Sequence, residues 1–379
     1  MMMRVLLTGG GTGGHVNPAL AIAHTIKINC PDAEIAFVGT EQGKECDLVP
    51  REGYPLYFVE VQGIRRSLSP ANIRALYLAV TSPYSKKTTE ILERFQPDIV
   101  IGTGGYACWP LLKAAARAGI PTMVHESNCQ PGLAVRRLQS CVDTILLNFP
   151  ESLPYIKRKE KCVVVGNPLR GGFGEVSTQQ AREHLGIRPG EKRVLCYAGS
   201  RGSSTVNAAV LEMLSALAPE YSDVCFVLSS GTRNFEEAER IYRRYQLEKY
   251  PNVTVEPYIY DMPMQMAAAD VVISRAGAIS LSELAQMGKA SIIVPSPYVA
   301  DNHQLRNARA LSDRGAALLV EEKNFADGAL LRATRTLLED EELCATLRHN
   351  IRSFASQDAN RLIYERIVRA VEEYRARKK

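Results

Sequence analysis

The chain has 379 residues, of which 46% are hydrophobic and 23% charged, enough for two domains with a core each. No apolar run approaches the ~18 residues a membrane helix requires, and one arginine with a short apolar run before the first glycines is too little for a secretory signal. A net charge of +5 is modest for this length and gives no reason to expect a nucleic-acid partner, while nine cysteines without any Cys-x-x-Cys point to reduced thiols in the cytoplasm.

Arg4-Val5-Leu6-Leu7 reads as a buried strand that runs into Thr8-Gly9-Gly10-Gly11-Thr12-Gly13-Gly14-His15, and a helix is expected from about Asn17. Glycines let the backbone approach a ligand, and the N–H groups and dipole of a helix start favour an anion, typically phosphate. The loop carries His15 to the same place. Gly9-x-Gly11-x-x-Gly14 also fits the spacing of a dinucleotide fingerprint, but Glu34 falls at the start of the second expected strand, Glu34–Gly39, and only Glu41 lies near the end where a ribose-binding acid belongs.

A third strand is expected over residues 54–61. Between Gly63 and Lys87 the charge is one-sided: Arg65, Arg66, Arg74, Lys86 and Lys87 occur with no acid. Ile73, Leu76, Tyr77, Val80 and Tyr84 recur there at helical spacing, either as the core-facing side of an ordinary helix or as a face resting on an anionic membrane surface. Ile99-Val100-Ile101-Gly102-Thr103-Gly104-Gly105-Tyr106 is a second strand entering a glycine turn, which gives two backbone cradles at the carboxyl ends of parallel strands. Residues 120–128 form another strand with a polar end. There His125 reads as a hydrogen-bonded strand-end residue and Asn128 as the one placed to touch a ligand; His125-Glu126 has no second histidine in register for a zinc site.

Strands over 142–147 and 162–165 lead to Gly166-Asn167-Pro168, turn chemistry that sets the expected boundary: 1–165, 166–355, and a charged terminal helix within 356–379 with a solvated face. Beyond it the pattern restarts with Val194–Tyr197, the loop Ala198-Gly199-Ser200-Arg201-Gly202-Ser203 and a helix from about Asn207. Ser200 there reads as a hydroxyl donor to phosphate, because neither the elbow glycine nor an acid–histidine pair is present for a nucleophile. Further strands over 224–229, 253–257, 271–274, 291–295 and 317–320 alternate with helical stretches, the signature of an α/β parallel sheet covered on both faces. Glu283, one turn into a helix, is either a partner for a ribose diol or a first-turn acid answering the helix dipole; Asp301–Ala308 gathers groups suited to sugar hydroxyls.

Taken in order, Gly-Gly-Thr-Gly-Gly-His, Gly-Thr-Gly-Gly-Tyr, His-Glu-Ser-Asn, Gly-Asn-Pro-Leu-Arg, Gly-Ser-Arg-Gly-Ser, Arg-Ala-Gly-Ala-Ile-Ser-Leu-Ser-Glu and Asp-Asn-His-Gln-Leu-x-Asn-Ala resemble glycosyltransferase family 28, and within it the MurG-type transferases that make lipid II from lipid I. That resemblance implies the GT-B fold, two Rossmann-like doubly wound domains facing across a cleft, with the last helix returning to the first domain. It implies peripheral attachment at the cytoplasmic face of the membrane. UDP-N-acetylglucosamine and undecaprenyl-linked lipid I would be the partners, with no cofactor required.

Carried onto matching positions, the resemblance puts Ser200 and Arg170 at the donor diphosphate, the Ile259 backbone at the uracil and Glu283 at the ribose. Ala278, Ile279, Ser280, Leu281 and Ser282 would wall the nucleotide, and His303 and Gln304 would read the sugar. Thr12, Gly13, Gly14 and Asn128 would approach the transferred residue. Gly11, Gly104, Gly105 and Tyr106 would cradle the acceptor diphosphate, and His15 would be the base of an inverting displacement. No Asp-x-Asp occurs, so a metal clamp of that kind has no ligands, and a helix N-terminus after Ser203 would stabilise the leaving group instead. A UDP-sugar 2-epimerase of the same architecture, another glycolipid transferase and an NAD enzyme are the competing expectations.

Overall fold

A computed structural model describes residues 2–62, 71–199, 202–356 and 358–378. The chain forms two compact units, Met1–Arg170 together with Ser356–Lys379, and Gly171–Ala355.

The first unit is a 7-stranded sheet with strands β1 (Arg4–Thr8), β2 (Glu34–Gly39), β3 (Leu56–Phe58), β4 (Ile99–Gly102), β5 (Thr122–Glu126), β6 (Thr144–Leu147) and β7 (Cys162–Val164), in the order β3-β2-β1-β4-β5-β6-β7. Neighbouring strands run parallel throughout. Both faces are covered, which is why β1 reads as a continuous apolar run. Val5 and Leu7 join one core with Ala19, Ile22 and Ile26, while Leu6 joins the other with Leu111 and Leu112. β3 is shorter than the expected 54–61, ending at Phe58 and paired, among the described residues, with β2 at the edge of the sheet.

The second unit repeats the plan with β8 (Lys192–Tyr197), β9 (Val224–Ser229), β10 (Val253–Glu256), β11 (Val271–Arg275), β12 (Ala290–Val294) and β13 (Leu318–Leu319), a 6-stranded sheet in the order β10-β9-β8-β11-β12-β13. In each sheet the order reverses beside its first strand, between β1 and β4 and between β8 and β11. At such a reversal the connecting helices leave to opposite faces, and a crevice opens outside the strand ends. All the glycine loops singled out in the sequence leave strands flanking these two points.

The terminal helix Ala359–Lys378 is charged, but it does more than face solvent. Ile363, Ile367 and Val371, spaced four apart, are buried in the same core as Val5 and Ile22. Burying three such side chains contributes roughly 1.5–3 kcal/mol each. Arg375 adds contacts of 2.7 and 3.1 Å to Asp98.

The break between the units falls after Arg170 rather than after 165. Residues 166–169 are tied to the first unit: the buried His125 ring donates through Nε2 to the Gly166 carbonyl at 2.9 Å, and Leu169 exchanges two hydrogen bonds with Asn360 at 3.2 and 2.8 Å. Burial lowers the His125 pKa to about 4. The ring therefore stays neutral and holds one strand end, a structural part.

Candidate functional site

In the first unit the chain leaves β1 through Gly9–Thr12 and enters the helix Gly13–Asn29, which starts earlier than the expected Asn17 because His15 and Val16 both donate to the Thr12 carbonyl. Gly13, Gly14 and His15 are thus its first turn. No side chain caps that end and no acid lies in the turn, so its backbone N–H groups and dipole are available to an anion. The imidazole Nδ1 lies 3.2 Å from the Gly10 carbonyl and 3.2 Å from Thr12 Oγ1.

The second glycine loop closes on the same ring. Gly104 and Gly105 have φ of +98° and +79°, and a Cβ on Gly104 would come within 2.8 Å of His15 Cδ2, so glycine is required on both counts. Thr103 Oγ1 donates to the His15 carbonyl at 2.6 Å, and Tyr106 packs on Gly11. Cys108 Sγ donates to the carbonyls of Gly104 and Thr8; burial pushes its thiol up to about 12, leaving it an inert clamp. So Thr12, Gly13, Gly14, His15, Gly11, Gly104, Gly105 and Tyr106 are gathered at the β1/β4 reversal.

Asn128 stands past the end of β5, half buried. Its backbone N–H and its Nδ2 both donate to Glu126 Oε1, at 2.9 and 3.0 Å, and Gly132 N–H donates to Oε2 at 2.7 Å. Glu126, whose pKa burial raises, therefore fixes how Asn128 presents its amide. Sequence reasoning missed it, although a carboxylate two residues before a polar strand end is the available signal.

In the second unit the β8/β11 reversal carries the loop that ends at Ser203, which caps the helix Ser204–Glu220 by accepting from Val206 N–H. Ser200 and Arg201 lie outside the described residues. Arg275, at the end of β11, lies in the Arg-Ala-Gly-Ala motif, where the sequence alone assigns it no role. Its Nη2 donates to Ser203 Oγ at 2.7 Å and lies 2.5 Å from Glu322 Oε1, both side chains being about nine-tenths buried. The pair braces the anion-suited loop from below.

Helix Ala278–Met287 begins on Gly277 with no side-chain cap and no acid in its first turn, so Glu283 is not a dipole-answering acid. It sits in the second turn, near enough to Tyr197 that burial and the Glu283 charge together push that phenol up. Ala278 and Leu281 are buried, and Ile279, Ser280 and Ser282 are half buried beside it. Ile259 is buried past β10, flanked by Tyr258 and the exposed Tyr260, whose rings meet edge-on at 4.9 Å. His303 opens the helix His303–Ser312, and Gln304 Oε1 accepts from Ser296 N–H at 2.8 Å, so part of that amide holds its own loop. Arg170, expected with this group, belongs to the first unit, with its guanidinium 3.7 Å from Glu52.

The basic stretch is the helix Ala71–Thr81 with the turn Ser82–Tyr84. Arg65 and Arg66, and the side chains of Ile73, Arg74 and Leu76, lie outside the described residues. Tyr77, Val80 and Tyr84 are 65%, 60% and 53% exposed, so the reading of a core-facing stripe fails for them. Trp109 Nε1 donates to the Ala79 carbonyl at 2.6 Å and fixes the helix, while Lys113 and Arg117 lie over the Tyr84 ring.

Residues 5–147 match the Glycosyltransferase family 28 N-terminal domain and residues 193–363 its C-terminal domain. A UDP-N-acetylglucosamine--N-acetylmuramyl-(pentapeptide) pyrophosphoryl-undecaprenol N-acetylglucosamine transferase of Acetivibrio thermocellus is 42% identical over 96% of this chain and 97% of its own. The chain belongs to glycosyltransferase family 28. Among solved structures, Acinetobacter baumannii MurG matches this family 28 chain at TM-score 0.74 and 25% identity over 97% of this chain and 99% of its own. The UDP-GlcNAc 2-epimerase of Neisseria meningitidis, solved with UDP-GlcNAc, matches at TM-score 0.65 and 18% identity over 97% of this chain and 100% of its own, a likeness of fold alone. The two parallel-sheet units are the Rossmann-like halves of the GT-B fold. Among the described residues no helix is long and apolar enough to cross a membrane, and no group of three potential metal ligands occurs.

Proposed function

We propose that the chain transfers N-acetylglucosamine from UDP-N-acetylglucosamine to the 4-hydroxyl of the N-acetylmuramyl residue of undecaprenyl-linked lipid I, with inversion, giving lipid II. The observation that carries this reading is His15 held between two glycine loops, in a chain so similar over its full length to transferases of that name. The acceptor hydroxyl gives its proton to His15 and its oxygen bonds to the anomeric carbon; the carbon–oxygen bond to UDP breaks, and UDP leaves with the electron pair. The glycine loops and the bare helix end at Gly13 suit the acceptor diphosphate, with Thr12, Gly14 and Asn128 nearest the transferred sugar. In the second unit the helix at Ser204 and Ser200 would take the donor diphosphate, Ile259 the uracil, Glu283 the ribose, and His303 and Gln304 the sugar.

The test is product formation from UDP-N-acetylglucosamine with a short-chain lipid I analogue beside a donor-only control. A disaccharide-lipid product with stoichiometric UDP is expected. Donor turnover without lipid would sink the reading in favour of the epimerase.

The exposed Tyr77, Val80 and Tyr84 among Lys87, Lys113 and Arg117 suit an anionic bilayer surface at the cytoplasmic face, where a lipid-linked acceptor would be met. Inserting an apolar side chain is worth roughly 1.5–3 kcal/mol. Replacing Tyr77 and Val80 together by Glu is expected to weaken binding to vesicles containing anionic lipid by at least about tenfold, with turnover of a soluble short-chain acceptor preserved. Vesicle binding unchanged in a sedimentation assay would place the membrane face elsewhere.

A further inference from the structure

The first unit buries a carboxylate behind its glycine loop that the reaction outlined above does not use. β2 ends at Gly39, the chain turns through Thr40, and Glu45 opens the short helix Glu45–Arg51 with its side chain 1% exposed. Its Oε1 accepts from Thr40 N–H at 2.8 Å and Thr40 O–H at 2.9 Å, and its Oε2 accepts from Gly11 N–H at 2.9 Å. A Cβ on Gly10, Gly39 or Gly43 would come within 2.6, 2.4 or 1.9 Å of Glu45, so three glycines make room for one buried carboxylate. Burying such a group is costly unless its partners do something with it.

The partner at Gly11 leads to His15. Gly11 N–H and the Gly10 carbonyl belong to one peptide group, and no peptide bond among the described residues is cis. In a trans peptide these two groups point in opposite directions, so the carboxylate holds one end and the imidazole Nδ1 faces the other. A carbonyl oxygen only accepts, so the 3.2 Å contact is a hydrogen bond only when Nδ1 carries the proton; Thr12 Oγ1 is then a second acceptor for it. That tautomer puts the lone pair on Nε2. A charged acceptor on the peptide N–H also polarises the carbonyl and strengthens it toward an imidazolium.

We propose that Glu45 is a positioning residue for the transfer reaction: through the Gly10–Gly11 peptide its carboxylate holds His15 as the Nδ1–H tautomer, with Nε2 as base, and supports the imidazolium formed when the acceptor hydroxyl loses its proton. This rests on the reading of His15 as the base. A carboxylate that merely braced the loop would have no bearing on which ring nitrogen carries the proton.

The experiment is nitrogen-15 NMR of the full chain labelled at its six histidines, with the His15 signals assigned by their loss in His15→Ala, together with steady-state kinetics of Glu45→Gln. An unprotonated Nε2 is expected in the unaltered chain. In Glu45→Gln, where an amide N–H would face Gly11 N–H, the Nε2–H form should grow. Its kcat should fall about 10- to 100-fold, the range for an outer partner that orients a functional histidine, while KM for the donor stays within about twofold. An Nε2–H tautomer in the unaltered chain overturns the proposal whether or not the variant folds, and so does a folded Glu45→Gln that keeps both kcat and the tautomer. Full turnover by His15→Ala is a different failure: it removes the base itself, leaving the tautomer measurement to judge what Glu45 does.

Discussion

His15→Ala lowers kcat by about 10²- to 10⁴-fold, the usual contribution of a positioned acid–base group, with donor affinity nearly unchanged. The expectation follows from where the ring is held. Nδ1 faces the Gly10 carbonyl and Thr12, and Gly104 lies against the ring too closely for a Cβ, while a Cβ on Gly105 would strike the Gly10 carbonyl beside it. An imidazole so enclosed contributes no bulk binding surface, and removing it leaves both glycine loops and their N–H groups in place. The loss therefore belongs to the transition state, about 2.7–5.5 kcal/mol, rather than to uniform binding. UDP release in the presence of a lipid I analogue reads kcat, and calorimetric titration with UDP-N-acetylglucosamine reads affinity. Turnover within about threefold of the unaltered chain would mean that another group takes the proton.

The strands were legible because parallel strands buried on both faces leave unbroken apolar runs, and Val5–Leu7 or Ile292–Val294 fit nothing else. Glycine loops showed themselves because their cost in chain entropy is visible residue by residue. What could not be read is where the buried charges go. Glu45 meets Gly11 across 34 positions and Arg275 meets Ser203 across 72, and charged residues in short polar stretches look like solvated surface until the sheet brings their partners together. Periodicity likewise shows a stripe without showing its cover. Ile91, Leu92 and Phe95 lie in a buried core, whereas Tyr77 and Val80, at helical spacing too, stand exposed on a helix whose Ala79 carbonyl accepts from Trp109 Nε1. The expected boundary at 165 failed for a related reason: Gly166-Asn167-Pro168 is turn chemistry, but His125 and Asn360, distant in sequence, hold it to the first unit.

Arg275→Ala destabilises the second unit by about 3–5 kcal/mol, the cost of leaving one member of a buried ion pair without the other. Glu322 loses the guanidinium 2.5 Å away in a site about nine-tenths buried, and Ser203 loses the donor at 2.7 Å that fixes the loop before helix Ser204–Glu220. Arg275 also spans β11 and β12 by donating to the Val294 carbonyl, so the damage should appear first as faster amide hydrogen exchange along Val271–Arg275 and Ala290–Val294, with the first unit's β1 and β4 still protected. Replacing both partners by apolar residues, Arg275→Met with Glu322→Leu, should recover most of that stability, because no unpaired charge is left behind. It should not recover donor affinity, since Ser203 would still lack its brace. Stability and KM for UDP-N-acetylglucosamine thereby separate: the single variant loses both, the double variant only the second. A single-variant cost under about 1 kcal/mol, the level of an exposed pair, would mean that water reaches the site and that the loop is held by its own backbone.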